Sequence, residues 1–234
     1  MKQHYLNPNT EDIDLSLSPI FKHLSSEEVE KVNEEKTISF YKKGTYIYHE
    51  GNRVNGIYLI IKGILKIFKT GIDGKEQIIR FAQPFELIAF RSVISGELAC
   101  TTAKTLEDCV LAYIPQETIF NLVKTNGLFS LELLQLTCRE LGEANEYITD
   151  IAQKTVRERL AEVLVHLKDS FGTDTENDLK ISLTREELAN IVGTATESVI
   201  RLLSEFKVDK LIEINGRKIK ILNYNSLRKI ANYN

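Results

Sequence analysis

Residues 184–207 read TREELANIVGTATESVIRLLSEFK, and the fold of the C-terminal third turns on this stretch. Thr184-Arg-Glu-Glu187 has capping-box spacing, in which the Thr hydroxyl and the Glu carboxylate each satisfy a free backbone N–H. It predicts a short helix whose apolar face is Leu188, Ile191 and Val192. Gly193 follows, where a tight turn between helices needs a residue without Cβ. Thr194-Ala-Thr-Glu197 repeats the capping pattern and predicts that the next helix starts there. Two short helices joined by a turn containing Gly form a helix-turn-helix.

The second helix divides into two faces. Val199, Leu202, Leu203 and Phe206 recur at i, i+3, i+4 and i+7 and are expected to pack inward. Glu197, Ile200, Arg201 and Ser204 form the opposite stripe. Ile200 gains nothing on a solvated face, but it suits contact with a thymine methyl. C-terminal to this helix lies Leu211-Ile-Glu-Ile-Asn-Gly-Arg-Lys-Ile-Lys-Ile-Leu222, two alternating strands around Asn215-Gly216. That dipeptide is the strongest hairpin signal in the chain. The hairpin has a basic tip, Arg217 and Lys218, and is expected to act as a wing that meets phosphate.

Toward the N-terminus, Phe171–Asp178 is polar and turn-like. Before it, Thr155-Val-Arg-Glu158 is another capping box, opening a helix with a Leu160, Leu164, Leu167 stripe and ending near Ser170. Residues 150–154 read as a hinge. Further back, Leu131, Leu134, Cys138, Leu141, Asn145 and Ile148 are spaced 3, 4, 3, 4 and 3 apart, an a/d seam of nearly three heptads. A helix buried on its own domain is the alternative reading. Asn145 favours a homodimer seam, since a polar residue there pairs with its twin and sets register.

Residues 37–114 read as short strands broken by turn residues: Thr37–Tyr41, Tyr46–Tyr48, Ile57–Ile61, Ile64–Phe68, Gln77–Phe81, Leu87–Phe90 and Val110–Ile114. Asp73-Gly74 marks a hairpin, Pro115 ends the region, and a short helix around Ser26–Glu34 precedes it. This spacing suggests a closed antiparallel barrel or sandwich. The fold class is therefore α+β: an N-terminal antiparallel, jelly-roll-like β-barrel, a long dimerisation helix and a C-terminal winged helix-turn-helix. The expected domains are 1–118, 119–152 and 153–234.

Composition agrees with a globular protein of 234 residues, 43% hydrophobic and 27% charged. No run reaches the roughly 18 apolar residues of a membrane span, and the polar N-terminus carries no secretion signal, so a cytoplasmic location is expected. Cys100, Cys109 and Cys138 are scattered, and with the four dispersed histidines they imply neither a disulfide framework nor a metal site. Net charge is −3, but unevenly spread: residues 1–150 hold 16 basic against 21 acidic side chains, and residues 151–234 hold 14 against 12. Local charge in the C-terminal part permits phosphate contact.

The order of parts resembles the Crp/Fnr family of bacterial regulators over essentially the whole chain. KGTYIYHEGNRVNGIYLIIKGILKIF (43–68) is similar to its cyclic-nucleotide-binding-type barrel, FRSVISGELACTTAKTLEDCVLAYIP (90–115) to its ligand cassette, and residues 184–207 to its helix-turn-helix. The resemblance implies that Glu197 and Arg201 read bases and that Arg185 meets phosphate. Thr194, Thr196, Ser198, Ile200, Ser204, Lys207, Arg217 and Lys218 complete the expected DNA face. Thr196 stands where the cAMP-responsive branch has a guanine-reading Arg, and Ile200 where Ser or Gly is common. The DNA site is therefore expected to differ from that branch's by at least one base pair.

The sensor departs further. Cyclic-AMP-binding members use Gly-Glu for the ribose and Arg-Ser or Arg-Thr for the phosphate; here the stretches are Glu86-Leu87-Ile88-Ala89 and Glu97-Leu98-Ala99-Cys100. A phosphate buried without a cation is costly, so cAMP is not the expected effector. The region before the barrel lacks Cys, which argues against an Fnr-type iron–sulfur cluster. The resemblance leaves haem open, although no histidine is placed inside the barrel. The effector is left unidentified, with Glu86, Leu87, Arg91, Ser92, Thr101, Thr102 and Asn145 as candidate pocket residues. Asn145 thus has two possible roles, register or ligand contact. DNA, a second copy and RNA polymerase are the implied partners. No nucleophile–base, P-loop or paired metal motif points to an enzyme. Two alternatives stay open: a cyclic-nucleotide-binding regulatory subunit, and a winged-helix protein that binds other proteins and not DNA.

Overall fold

The computed structural model describes residues 18–232. The polar N-terminal stretch up to residue 17, which bears on the secretion and iron–sulfur expectations, lies outside the described residues. The chain divides into two compact units: residues up to Lys69 with Ile79–Leu141, and Thr70–Ile78 with Gly142–Asn234.

The first unit opens with a single 3-10 turn, Pro19–Phe21, and α1 (Ser26–Glu35), capped by a reciprocal Ser25–Glu28 box. Strands follow at Thr37–Tyr41 (β1), Tyr46–Tyr48 (β2), Gly56–Lys62 (β3), Leu65–Thr70 (β4), Glu76–Ala82 (β5) and Leu87–Ile88 (β6). A short helix, Phe90–Ser95 (α2), precedes Thr102–Thr105 (β7) and Cys109–Pro115 (β8). They form two four-stranded sheets, β1-β8-β3-β6 and β2-β7-β4-β5. One apolar layer includes Ile60, Leu65, Ile67, Ala82, Ala103 and Leu111. A second lies where α1, Gln116–Thr125 (α3) and the start of the next helix cover Ile57, Leu59, Ala112 and Ile114. This is the mixed architecture the sequence implied.

Three expectations need correction here. The Leu87–Phe90 strand stops at Ile88, because Ala89 adopts a left-handed φ of 68° and Phe90 then starts α2. Strand β7, Thr102-Ala-Lys-Thr105, was missed because four mostly polar residues carry too little alternation to register. Helix α3 was missed as well, so the boundary expected at residues 118 and 119 falls inside it.

The long helix α4 runs Gly127–Gln153. It buries Phe129 and Leu133 against the first unit, with the Phe129 ring stacked on Phe21 at 5.9 Å. The heptad seam faces elsewhere: Leu131, Leu134, Leu141 and Ile148 are 47%, 59%, 61% and 65% exposed. Cys138 and Asn145 are exposed too. Burial of the seam on its own domain is therefore not what the chain does.

The second unit continues with α5 (Val156–Phe171), α6 (Arg185–Val192), α7 (Thr196–Val208), β9 (Ile212–Asn215), β10 (Lys218–Ile221) and α8 (Tyr224–Ala231). Helix α4 remains helical through Gln153, so the hinge expected at 150–154 shrinks to the pair Lys154–Thr155. That junction is tied down. Lys154 pairs with Asp150 at 2.9 Å and Glu162 at 2.8 Å, and Arg159 donates to the carbonyls of Lys154 and Val192. The capping boxes at Thr155 and Thr184 form as expected.

Candidate nucleic-acid interface

Leu188 and Val192 of α6 pack in the unit's interior, as do Val199, Leu202, Leu203 and Phe206 of α7. Gly193, at φ 70°, closes α6 by donating its N–H to the Ala189 carbonyl. The Thr194 N–H goes to the same carbonyl, which draws Thr194 into the turn. Helix α7 accordingly starts one residue later than expected, with Ala195 at its N-cap and no side-chain cap. The third capping box does not form. The Thr194 carbonyl instead accepts a hydrogen bond from Lys75 Nζ at 2.7 Å, within the same unit.

With one face of α7 buried, Glu197, Ile200, Arg201 and Ser204 stand outward, with Lys207 exposed beyond them. Thr196 and Ser198 are half-buried at its first turn. Arg201 is 69% exposed, and its Nη1 lies 2.8 Å from Glu205 Oε1. Its carboxylate neighbour is thus Glu205 rather than Glu197, although both lie four residues away and an acid N-terminal to its cation is the better helical order. Glu205 is itself held by Arg157 at 2.9 Å, and Arg157 also grips Asp209 at 2.8 Å and lies over the Phe206 ring. Arg157 belongs to α5, and sequence reading overlooked it because its partners are about fifty residues away.

The hairpin β9–β10 pairs Asn215 with Lys218, so its two loop residues are Gly216 and Arg217 rather than Asn215 and Gly216. Gly216 has φ 60°, and Arg217 is not among the residues of positive φ. Positive φ at the first central position alone is the II′ arrangement, for which Gly is required there. Arg185, the first residue of α6, donates Nη2 to the Gly216 carbonyl at 2.8 Å, joining wing and helix. Its Nη1 is buried without a hydrogen-bond partner among the described residues, and burial lowers the guanidinium's pKa. A buried, unpaired cationic N–H calls for an acceptor.

Lys218 differs from expectation. It faces Asp174 at 3.5 Å, Glu176 at 3.1 Å and Asp178 at 3.2 Å, and hydrogen bonds to Glu176 and Asp178 raise its pKa. Its charge is neutralised by the 174–178 turn. Arg217, exposed at the hairpin tip, has no ion-pair partner among the described residues.

In the first unit, the expected pocket residues scatter in environment. Leu87, Ser92 and Thr102 are buried, Glu86 and Thr101 half-buried, and Arg91 is exposed. Arg91 Nη2 lies 2.8 Å from Cys100 Sγ, and Thr102 Oγ1 accepts the Glu50 N–H at 3.0 Å. Asn145 belongs to the second unit. Sequence reading also overlooked Arg80, which sits in register with Ile78 and Ala82 on β5. Its guanidinium pairs with Glu86 at 2.8 Å and Glu140 of α4 at 3.2 Å. A charged residue at an inward position of an alternating strand was the available signal. Among the described residues no cluster of His, Cys, Asp and Glu could hold a metal ion, and no helix is long and apolar enough to cross a membrane.

A barrel domain followed by a winged helix-turn-helix with an outward basic face defines a DNA-binding regulator with an N-terminal sensor-type domain. Residues 38–126 match the cyclic nucleotide-binding domain family, and residues 158–230 match the Crp-like helix-turn-helix domain family. The transcriptional activator protein Anr of Pseudomonas protegens is 30% identical over 183 residues, covering 77% of this chain and 75% of its own. The activator of the same name from Pseudomonas aeruginosa is 28% identical over 223 residues, covering 93% and 91%. A solved Crp/Fnr-family regulator from Eubacterium rectale superposes with a TM-score of 0.77 at 21% identity, covering 92% of this chain and 98% of that one. The chain belongs to the Crp/Fnr family of transcription regulators. It is a DNA-binding transcription regulator and not an enzyme.

Proposed function

We propose that the protein acts in the cytoplasm as a homodimer, joined along the exposed α4 seam, that lays α7 in the major groove of each half of a two-fold DNA site. In this reading the Arg201 fork meets guanine O6 and N7, Glu197 accepts from cytosine N4, and Ile200 covers a thymine methyl. Thr196, Ser198, Ser204 and Lys207 flank these base contacts. Arg185, Thr194 and Arg217 meet the backbone. Asn145 sets the register of the seam. RNA polymerase is the further partner, as suits a relative of activators.

The observation that carries the reading is the orphaned Nη1 of Arg185. Arg185 would turn this nitrogen outward to a DNA phosphate at the start of α6, where the helix-terminus field favours an anion. The test is a mobility-shift selection from genomic fragments, followed by salt titration of single variants on the selected site. Arg185→Ala and Arg217→Ala should each lower the salt slope by about one ion. Lys218→Ala should leave the slope nearly unchanged, because its counterions are already protein carboxylates. If no fragment binds more tightly than bulk DNA, the chain is not a sequence-specific reader.

The same reading makes the barrel insensitive to cyclic AMP. Arg80 is a half-buried cation of β5, and Glu86 and Glu140 already occupy it. A cyclic phosphate would have to break two ion pairs and leave carboxylates unpaired. Calorimetry with cAMP should show no saturable heat at cellular concentrations. Micromolar binding would require Arg80 to exchange partners.

A further inference from the structure

A cleft of about 530 Å³ opens on the first unit, between β1, β3, β8 and the loop from β2 to β3. Small-molecule sites commonly occupy roughly 300–1,000 Å³. Tyr41, Tyr48, Tyr58 and Tyr113 all line it. Their placement follows from register: Thr37 lies opposite Tyr113 and Tyr113 opposite Tyr58, so β1, β8 and β3 present one row. The Tyr58 ring centroid is 5.2 Å from that of Tyr113 and 6.4 Å from that of Tyr48. Gly56 makes room for this row. A Cβ there would sit 2.6 Å from the Tyr113 ring and 2.4 Å from the Ile114 carbonyl oxygen.

The polar groups of the cleft are mixed, His49, Thr37 and Ser39 among them, but none is a carboxylate. Arg53, Asn52 and Asn55 project from the loop, and no Asp or Glu is among the lining residues. Among the described residues, the side chains of these three and the hydroxyls of Tyr58 and Tyr113 have no hydrogen-bond or ion-pair partner. The loop backbone is nevertheless pinned. The Gly51 N–H donates to the Ala99 carbonyl at 2.7 Å, the Ala99 N–H to the Asn52 carbonyl at 2.8 Å, and the Gln116 N–H to the Asn55 carbonyl at 2.9 Å. A fixed frame thus holds a cation, two amides and a tyrosine wall with donors to spare.

We propose that this cleft binds a small aromatic carboxylate, its ring against Tyr58 and Tyr113 and its carboxylate on Arg53. An aromatic ring gains offset or tilted contacts with the tyrosines that an aliphatic chain lacks. Arg presents a planar fork that matches a carboxylate. Burial, and then the neighbouring tyrosines, push the Tyr58 phenol up to about 12, so it stays a protonated donor at neutral pH. The site is separate from the Arg91 cassette, and the inference stands independently of how the protein reads DNA.

The test is calorimetry on the full chain with phenylacetate, 4-hydroxybenzoate and 2-naphthoate, against benzyl alcohol (ring without charge) and hexanoate (charge without ring). At least one aromatic acid should bind saturably, more tightly than both controls. Arg53→Gln should weaken it by about tenfold or more, the effect of losing a charged hydrogen bond. Arg91→Gln should leave it unchanged. Tyr113→Leu should also weaken binding; if that variant misfolds, Arg53→Gln decides alone, since Arg53 is an exposed loop residue. The proposal fails if none of the acids binds at millimolar concentration, or if hexanoate or benzyl alcohol binds equally well. It also fails if binding survives Arg53→Gln.

Discussion

Replacing Leu134 and Leu141 with Asp should convert the protein to monomers and remove most of its DNA affinity. Both side chains are more than half exposed in the single chain, on a 27-residue helix about 40 Å long. The apolar stripe from Leu131 to Ile148, about 26 Å long and set at heptad spacing, is otherwise a standing cost in water. Two Asp residues per chain would put like charges face to face in a dry seam. The helix itself should survive, because Phe129 and Leu133, on a different face, anchor it to the first unit. Circular dichroism should therefore stay unchanged while sedimentation shifts to the monomer. With the two half-sites no longer linked, affinity for a two-fold site should fall by roughly 10²–10⁴. An unchanged sedimentation coefficient would remove α4 as the dimer element.

Arg201→Ala should cost roughly 1–3 kcal/mol of specific binding and relax the preference at one G·C pair in each half-site. In the free protein its guanidinium rests on Glu205, which Arg157 also holds. Arg201 is thus a side chain parked on the surface, with an exposed pair of the kind that contributes little to stability. The variant should fold with a near-unchanged melting temperature while its base preferences change. Glu205→Gln should be milder, freeing Arg201 without deleting it. The measurement is binding of each variant to a library of site variants at fixed salt. If Arg201→Ala loses overall affinity yet keeps the wild-type base preferences, α7 does not read that pair through Arg201.

Much of the architecture was legible because it rests on local chemistry. The capping boxes at Thr155 and Thr184 need only residues three apart, so sequence spacing places both helix starts. The α7 core face and the α4 seam follow from helical period, which a single chain displays in full. Legibility failed where a local pattern had a competitor. Thr194-x-x-Glu197 has capping spacing, but Gly193 and Thr194 are committed to the Ala189 carbonyl, and the helix begins after them. Asn215-Gly216 looks like the hairpin turn, yet strand register moves the loop to Gly216-Arg217. Helix α3 and strand β7 were too short or too polar to announce themselves.

The charged groups divide along the same line. The sequence by itself determined the fold class, the two helices of the DNA-binding motif, the outward stripe Glu197, Ile200, Arg201 and Ser204, and the seam from Leu131 to Ile148. All of these are periodic, and period depends only on the residues within one element. Tertiary structure decided which charges are free. It set Lys218 among Asp174, Glu176 and Asp178, left Arg217 open, orphaned Nη1 of Arg185, and turned Arg80 onto Glu86 and Glu140. An ion pair forms between groups a few ångströms apart in space, and those partners are up to 60 residues apart in the chain. No spacing rule encodes that distance, so it emerges only when the strands and turns have packed.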